Sequence, residues 1–222
     1  LRLFNSSGDQ NLTSAAEDRG DIQTSTNGTA VTLQDEGDFD TVTIDANTSV
    51  ITGANNLSAT GVTANGTLTA IGQTGGETTT VTGGVTIGAG GAADFGDGDV
   101  DIDGSVTGTG DFTASSGTTT VGDDFTVSGT FADNGGTMTF DTTAGSTVGA
   151  AGGYTFNDVV VSANTILASG WSVDRTLTVN GGAQLDVSGS DYPIDVAGDL
   201  DFTAGVFNAR SGTVTLDGAL SP

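Results

Sequence analysis

Along most of this chain one three-residue phrase recurs: an apolar residue, a threonine or aspartate, and a second apolar residue. With threonine it stands at Val31-Thr32-Leu33, Val42-Thr43-Ile44, Val85-Thr86-Ile87, Phe125-Thr126-Val127, Met138-Thr139-Phe140, Tyr154-Thr155-Phe156, Leu177-Thr178-Val179 and Val214-Thr215-Leu216. With aspartate it stands at Val100-Asp101-Ile102, Leu185-Asp186-Val187, Ile194-Asp195-Val196 and Leu200-Asp201-Phe202. Period-2 alternation is the mark of a strand with one buried face, so each phrase assigns its outer residues to a core and its central residue to solvent. Glycine, asparagine and aspartate separate the phrases and accept the positive φ of tight turns. The chain holds 37 glycines in 222 residues. Each costs about 1 kcal/mol against alanine inside a helix, so the reading is all-β.

Strand spacing narrows the choice further. From residue 177 the phrases start at Leu177, Leu185, Ile194 and Leu200, closer together than the roughly 8–12-residue rhythm of an antiparallel sandwich. Three short strands and three bends in every 20 to 25 residues, roughly, is the arithmetic of a solenoid. The expected fold is a parallel β-helix or β-solenoid of about 8–10 short coils, with an antiparallel β-sandwich as the alternative for part of the chain, residues 1–70 above all. A longer repeat points the same way. Phe112 to Gly122 reads FTASSGTTTVG, Phe131 to Asp141 reads FADNGGTMTFD and Phe207 to Asp217 reads FNARSGTVTLD, with starts 19 and 76 residues apart. Val100, Ile102, Phe112, Phe131, Phe140, Phe207 and Leu216 are the expected core ladder.

The phrases SGTVTLDG, NGGTMTFD and LTVNGGAQLDVSG resemble the glycine- and threonine-rich repeats of large microbial surface proteins, haemagglutinin-like adhesins and autotransporter passengers among them. The resemblance covers about residues 60–218 and implies a right-handed parallel β-helix, export to the cell exterior and a structural or adhesive role. It carries over no functional residue.

Composition excludes several functions. The formal net charge is -24, from 28 acidic residues against four arginines. Such a surface repels nucleic-acid phosphates and anionic lipid heads. No apolar run approaches the roughly 20 residues that span a bilayer, so no direct membrane insertion is expected. Apolar residues, at 35%, fall in regular pairs, which a disordered chain has no reason to show. Cysteine is absent, and the chain opens at Leu1 without methionine, as a processed or excerpted form would. Residues 1–30 lack the triplet rhythm and are read as a polar N-terminal arm or cap, with a helical turn around Asn11 to Arg19; residues 31–222 are read as the solenoid.

Two sets of residues suggest sites. Asp97, Asp99, Asp101 and Asp103 alternate through GDGDVDIDG, as ligands do in the first half of a calcium loop. Position 12 counted from Asp99 is Gly110, not an acid, so the stretch is weighed as an outward strand face against a calcium site. Calcium is the one cofactor the sequence suggests. Asn5, Asn11, Asn27, Asn47, Asn56 and Asn65 each open an Asn-x-Ser/Thr sequon, whereas no asparagine after residue 70 does. That clustering marks them as N-glycosylation candidates.

Without histidine, cysteine or lysine there is no triad, thiolate nucleophile or Schiff base, and the chain is not expected to be an enzyme. A polysaccharide lyase or glycosidase working with paired carboxylates and Arg175 or Arg210 is the weakest alternative. The leading expectation is an extracellular, cell-surface structural subunit whose partner is itself. It would form a filament or layer by β-stacking of coil ends or exchange of the N-terminal arm. An adhesin or glycan-binding stalk, with glycans or a host surface as partner, is the second expectation.

Overall fold

A computed structural model describes residues 2–3, 10–12, 20–24, 28, 30–70, 76–142, 145–202 and 204–218. Among them there is no helix, and every strand pairing is parallel. The chain winds into a β-solenoid of about nine coils. Each residue in a strand meets its counterpart roughly one coil later. Val42 pairs with Val62, Val85 with Val106, Phe112 with Phe131 and Ile194 with Val214. Coil length varies: Val159 pairs with Leu177, eighteen residues on, and Leu177 with Leu200, twenty-three on.

This result removes the sandwich alternative for the described part of residues 1–70. The strands Gly37–Ile44 and Leu57–Ala64 run parallel and in register, which no tight hairpin could join. The segments Arg2–Leu3, Gln10–Leu12 and Ile22–Thr24 also stack in parallel on later strands. Asn11 and Leu12 are therefore extended where a helical turn was expected, and residues 13–19 lie outside the described set.

Alternation along each strand does the sorting that the phrases implied. Thr137–Phe140 and Val85–Ile87 bury alternate side chains, and Val100, Ile102, Phe112 and Phe140 are all buried. The centre of the core is a continuous run of rings. Phe95, Phe112, Phe125, Phe131, Phe140, Tyr154, Phe156 and Trp171 contact one another with centroids 5.1 to 6.2 Å apart, mostly tilted or edge-on. Such pairs add about 0.5–1.5 kcal/mol each beyond their area, so eight rings in one cluster, contributed by several strand columns, give the middle coils a strong shared core.

Glycine has a specific place where coils approach. A Cβ on Gly122 would stand 2.3 Å from the carbonyl oxygen of Asp103 in the coil before it, so only glycine fits that corner.

Three sequence expectations need correction. Leu216 is in the ladder, opposite Val196, but is 60% exposed, and Phe207 is only partly buried. Both lie in the last described coil, on which no further described strand stacks. Asp186, expected to face solvent, is buried and turned toward Arg210 and Asn208. The third copy of the longer repeat is also out of line with the first two. Thr118 to Val121 stacks under Thr137 to Phe140, in a column that continues through Val159, Leu177 and Leu200. Val214 instead follows Trp171 and Ile194. The long strands Tyr154–Val161 and Trp171–Val179 span both columns, with a bulge between Phe156 and Asp158, so unequal coil lengths break the 19-residue count.

Candidate functional site

The acidic stretch sits on the outer wall. Asp99 and Asp101 project from one face of the strand Asp99–Ile102 while Val100 and Ile102 enter the core. In an extended strand, same-face residues stand about 6.6–6.8 Å apart and point in parallel, so they do not converge on an ion. Neighbouring coils do not supply the missing carboxylates. Asp99 lies beneath Thr118 and above Thr78, and Asp101 lies between Thr80 and Thr120. Asp99 accepts the Thr118 amide at 3.0 Å, and Asp97 accepts the Ser116 hydroxyl at 3.4 Å. Among the described residues no group of three or more acidic side chains is placed to hold a metal ion. Of the four carboxylates that loop spacing singled out, Asp99 and Asp101 stand on the outward face of the strand, and Asp97 and Asp103 flank it as exposed residues.

Electrostatics on that wall are repulsive. Partial desolvation raises the Asp101 carboxyl above its ordinary value, and Asp103 beside it adds to the rise. Asp141 is raised for the same reasons, by burial first and then by Asp101 and Asp103. Gly122 leaves the space between Asp103 and Asp141 without a side chain.

The sequons fall in varied settings. Asn47 is exposed at a turn with φ of 62°, and Asn11 is an exposed strand residue. Asn56 is engaged between coils: its Oδ1 accepts the Thr78 amide at 2.8 Å, and its Nδ2 donates to Glu36 at 3.3 Å. The Asn65 side chain lies against Gly88 of the next coil. Asn5 and Asn27 lie outside the described residues.

The last coil has a different character. Asp199–Asp201, Val206–Asn208 and Val214–Leu216 each pair, among the described residues, with an earlier strand on one side only. Of the four large hydrophobics exposed on the described surface, Phe202, Val206 and Leu216 belong to this coil, at 45%, 58% and 60% exposure, and Ile166 is the other. The sequence signalled this poorly, because the triplets there look like every other triplet. From within this coil, Arg210 grips Asp186 of the coil before it, donating through Nε and Nη2 at 2.5 and 2.7 Å. The guanidinium holds the Asp186 carboxyl below the usual carboxylate range, helped by the Ser188 amide. Arg210 reaches this contact with φ of 45°, a left-handed backbone that is costly outside glycine. The pair anchors the last two coils to each other, and Arg175, 69% exposed and 3.4 Å from Asp158, does similar work on the outside.

Together these features define the class: a parallel β-solenoid repeat protein with acidic side chains on its outer wall and a last described coil that exposes apolar side chains. Neither family models, curated proteins nor solved structures match this chain.

Proposed function

We propose that this protein is an extracellular structural subunit that elongates by parallel β-stacking, the open edge of its last coil receiving the first coil of another copy. The supporting observation is that coil: three strands paired on one side only among the described residues, carrying Phe202, Val206 and Leu216 on the exposed surface. Unpaired N–H and C=O groups beside apolar side chains are a template for a further strand. The glycine-threonine phrases that resemble microbial surface proteins, and an acidic wall suited to saline surroundings, support the same placement outside the cell.

Negative-stain microscopy and sedimentation test this reading. The unaltered chain should form filaments, and Val206→Lys, which puts a charge on the edge, should return it to single rods. Nine coils at about 4.8 Å make such a rod about 43 Å long. Monodisperse rods from the unaltered chain at all concentrations, or filaments indifferent to Val206→Lys, would refute it.

A further inference from the structure

The side of the solenoid carries a cleft of about 460 Å³, remote in kind from the coil edge because it opens laterally. Its origin is a difference in corner length. The corner before Tyr154 occupies residues 149–153, the one before Trp171 only 168–170, and the one before Ile194 residues 187–193. The middle corner is shortest, so the corners on either side project beyond it and leave a notch. One wall is glycine-rich, with Gly152 and Gly153 at φ of 106° and 80°. The other carries Tyr192, half-buried, and Pro193.

The floor is firm. The Ser169 hydroxyl oxygen accepts the Ala150 amide at 3.2 Å, and Trp171 is held against Phe140 and Phe156. Beside the notch, Thr155, Ser172 and Asp195 stand in register on three successive coils, all with outward side chains.

We propose that this notch binds a short neutral saccharide. Its volume lies within the roughly 300–1,000 Å³ typical of ligand sites. An apolar sugar face suits Tyr192 and Pro193, and a row of hydroxyl and carboxylate groups spaced by the coil repeat suits a row of sugar hydroxyls. Anionic sugars are disfavoured by Asp195 and by the net charge of -24. A lone carboxylate in the lining gives no cation site, and a peptide has no strand edge to join at a corner. This gives the glycan-binding expectation from the sequence a definite place, independent of assembly.

Trp171 is the single tryptophan, so its fluorescence reports directly on the notch. Maltotriose, cellotriose and triacetylchitotriose, each titrated with fluorescence and calorimetry, are the probes. At least one should bind saturably below about 10 mM. Asp195→Asn and Tyr192→Ala should each weaken it tenfold or more, with Asp217→Asn unchanged as a surface control. Asp195 is exposed, so its substitution tests the site even if Tyr192→Ala fails to fold. No saturation with any of the three, affinity indifferent to Asp195→Asn, or binding of trigalacturonate in place of the neutral trisaccharides would overturn the proposal.

Discussion

Phe112→Ala tests the claim that one aromatic cluster supports the middle coils. Phe112 is fully buried and its ring centroid lies 5.4 Å from Phe95, 5.3 Å from Phe125 and 6.2 Å from Phe131. Truncating a buried phenylalanine costs about 3–5 kcal/mol through lost transfer energy and the cavity left behind. Three aromatic partners place this residue near the upper end of that range. Parallel strands on both sides limit how far the cavity can collapse, because moving one coil disturbs the ladders of its neighbours. The loss is a large share of a total stability that is commonly about 5–15 kcal/mol. Urea unfolding followed by far-UV circular dichroism and by Trp171 fluorescence measures it, the midpoint shift being converted at constant m. Phe202→Ala is the matched control: 45% exposed, with its ring 6.2 Å from Phe207, it should cost under about 1 kcal/mol. If Phe112→Ala costs less than about 1 kcal/mol, or no more than the control, the aromatic cluster does not carry the stability assigned to it.

Other substitutions probe electrostatics and backbone fit. The carboxyl of Asp186 is held below its ordinary value, so its contribution is complete above the unfolded pKa of about 3.9 and is lost as pH falls through the lower folded one. Asp186→Asn should accordingly lower Tm at pH 7 and flatten its dependence on pH below about 4, seen by calorimetric scans across pH. Asp101 is shifted the other way and its charge opposes folding at neutral pH, so Asp101→Asn should raise Tm in low salt, with the gain shrinking at 1 M salt. Burial pushes the Tyr154 phenol up to about 12, and its hydroxyl donates to the Val127 carbonyl at 2.9 Å. Ultraviolet titration should show a tyrosine ionising near pH 12, absent in Tyr154→Phe, with stability lost as pH rises through that value. Gly122→Ala drives a Cβ to 2.3 Å from a backbone oxygen and should destabilise by about 1–3 kcal/mol in urea, whereas Gly76→Ala, with open space, should be neutral or mildly stabilising.

The sequence by itself determined the repeating unit. Because side chains alternate strictly along a strand, Val100 and Ile102 had to share a face opposite Asp99 and Asp101, and the close spacing of such units pointed to a solenoid. The stacking of FTASSGTTTVG beneath FADNGGTMTFD was legible too, since equal phrases 19 residues apart fall in register when the coil has that length. Tertiary structure decided what alternation cannot express. A local pattern reports which face a residue takes, not whether another coil covers it, so Phe207 and Leu216 read as core although one lies half-buried and the other exposed on the open coil. Nor does it report who stands one coil away: Asp101 meets threonines above and below, while Asp186 meets Arg210 twenty-four residues on and turns inward. The notch beside Tyr192 arises from three corners of different length brought side by side, and corner length has a spatial meaning only once the coils are stacked.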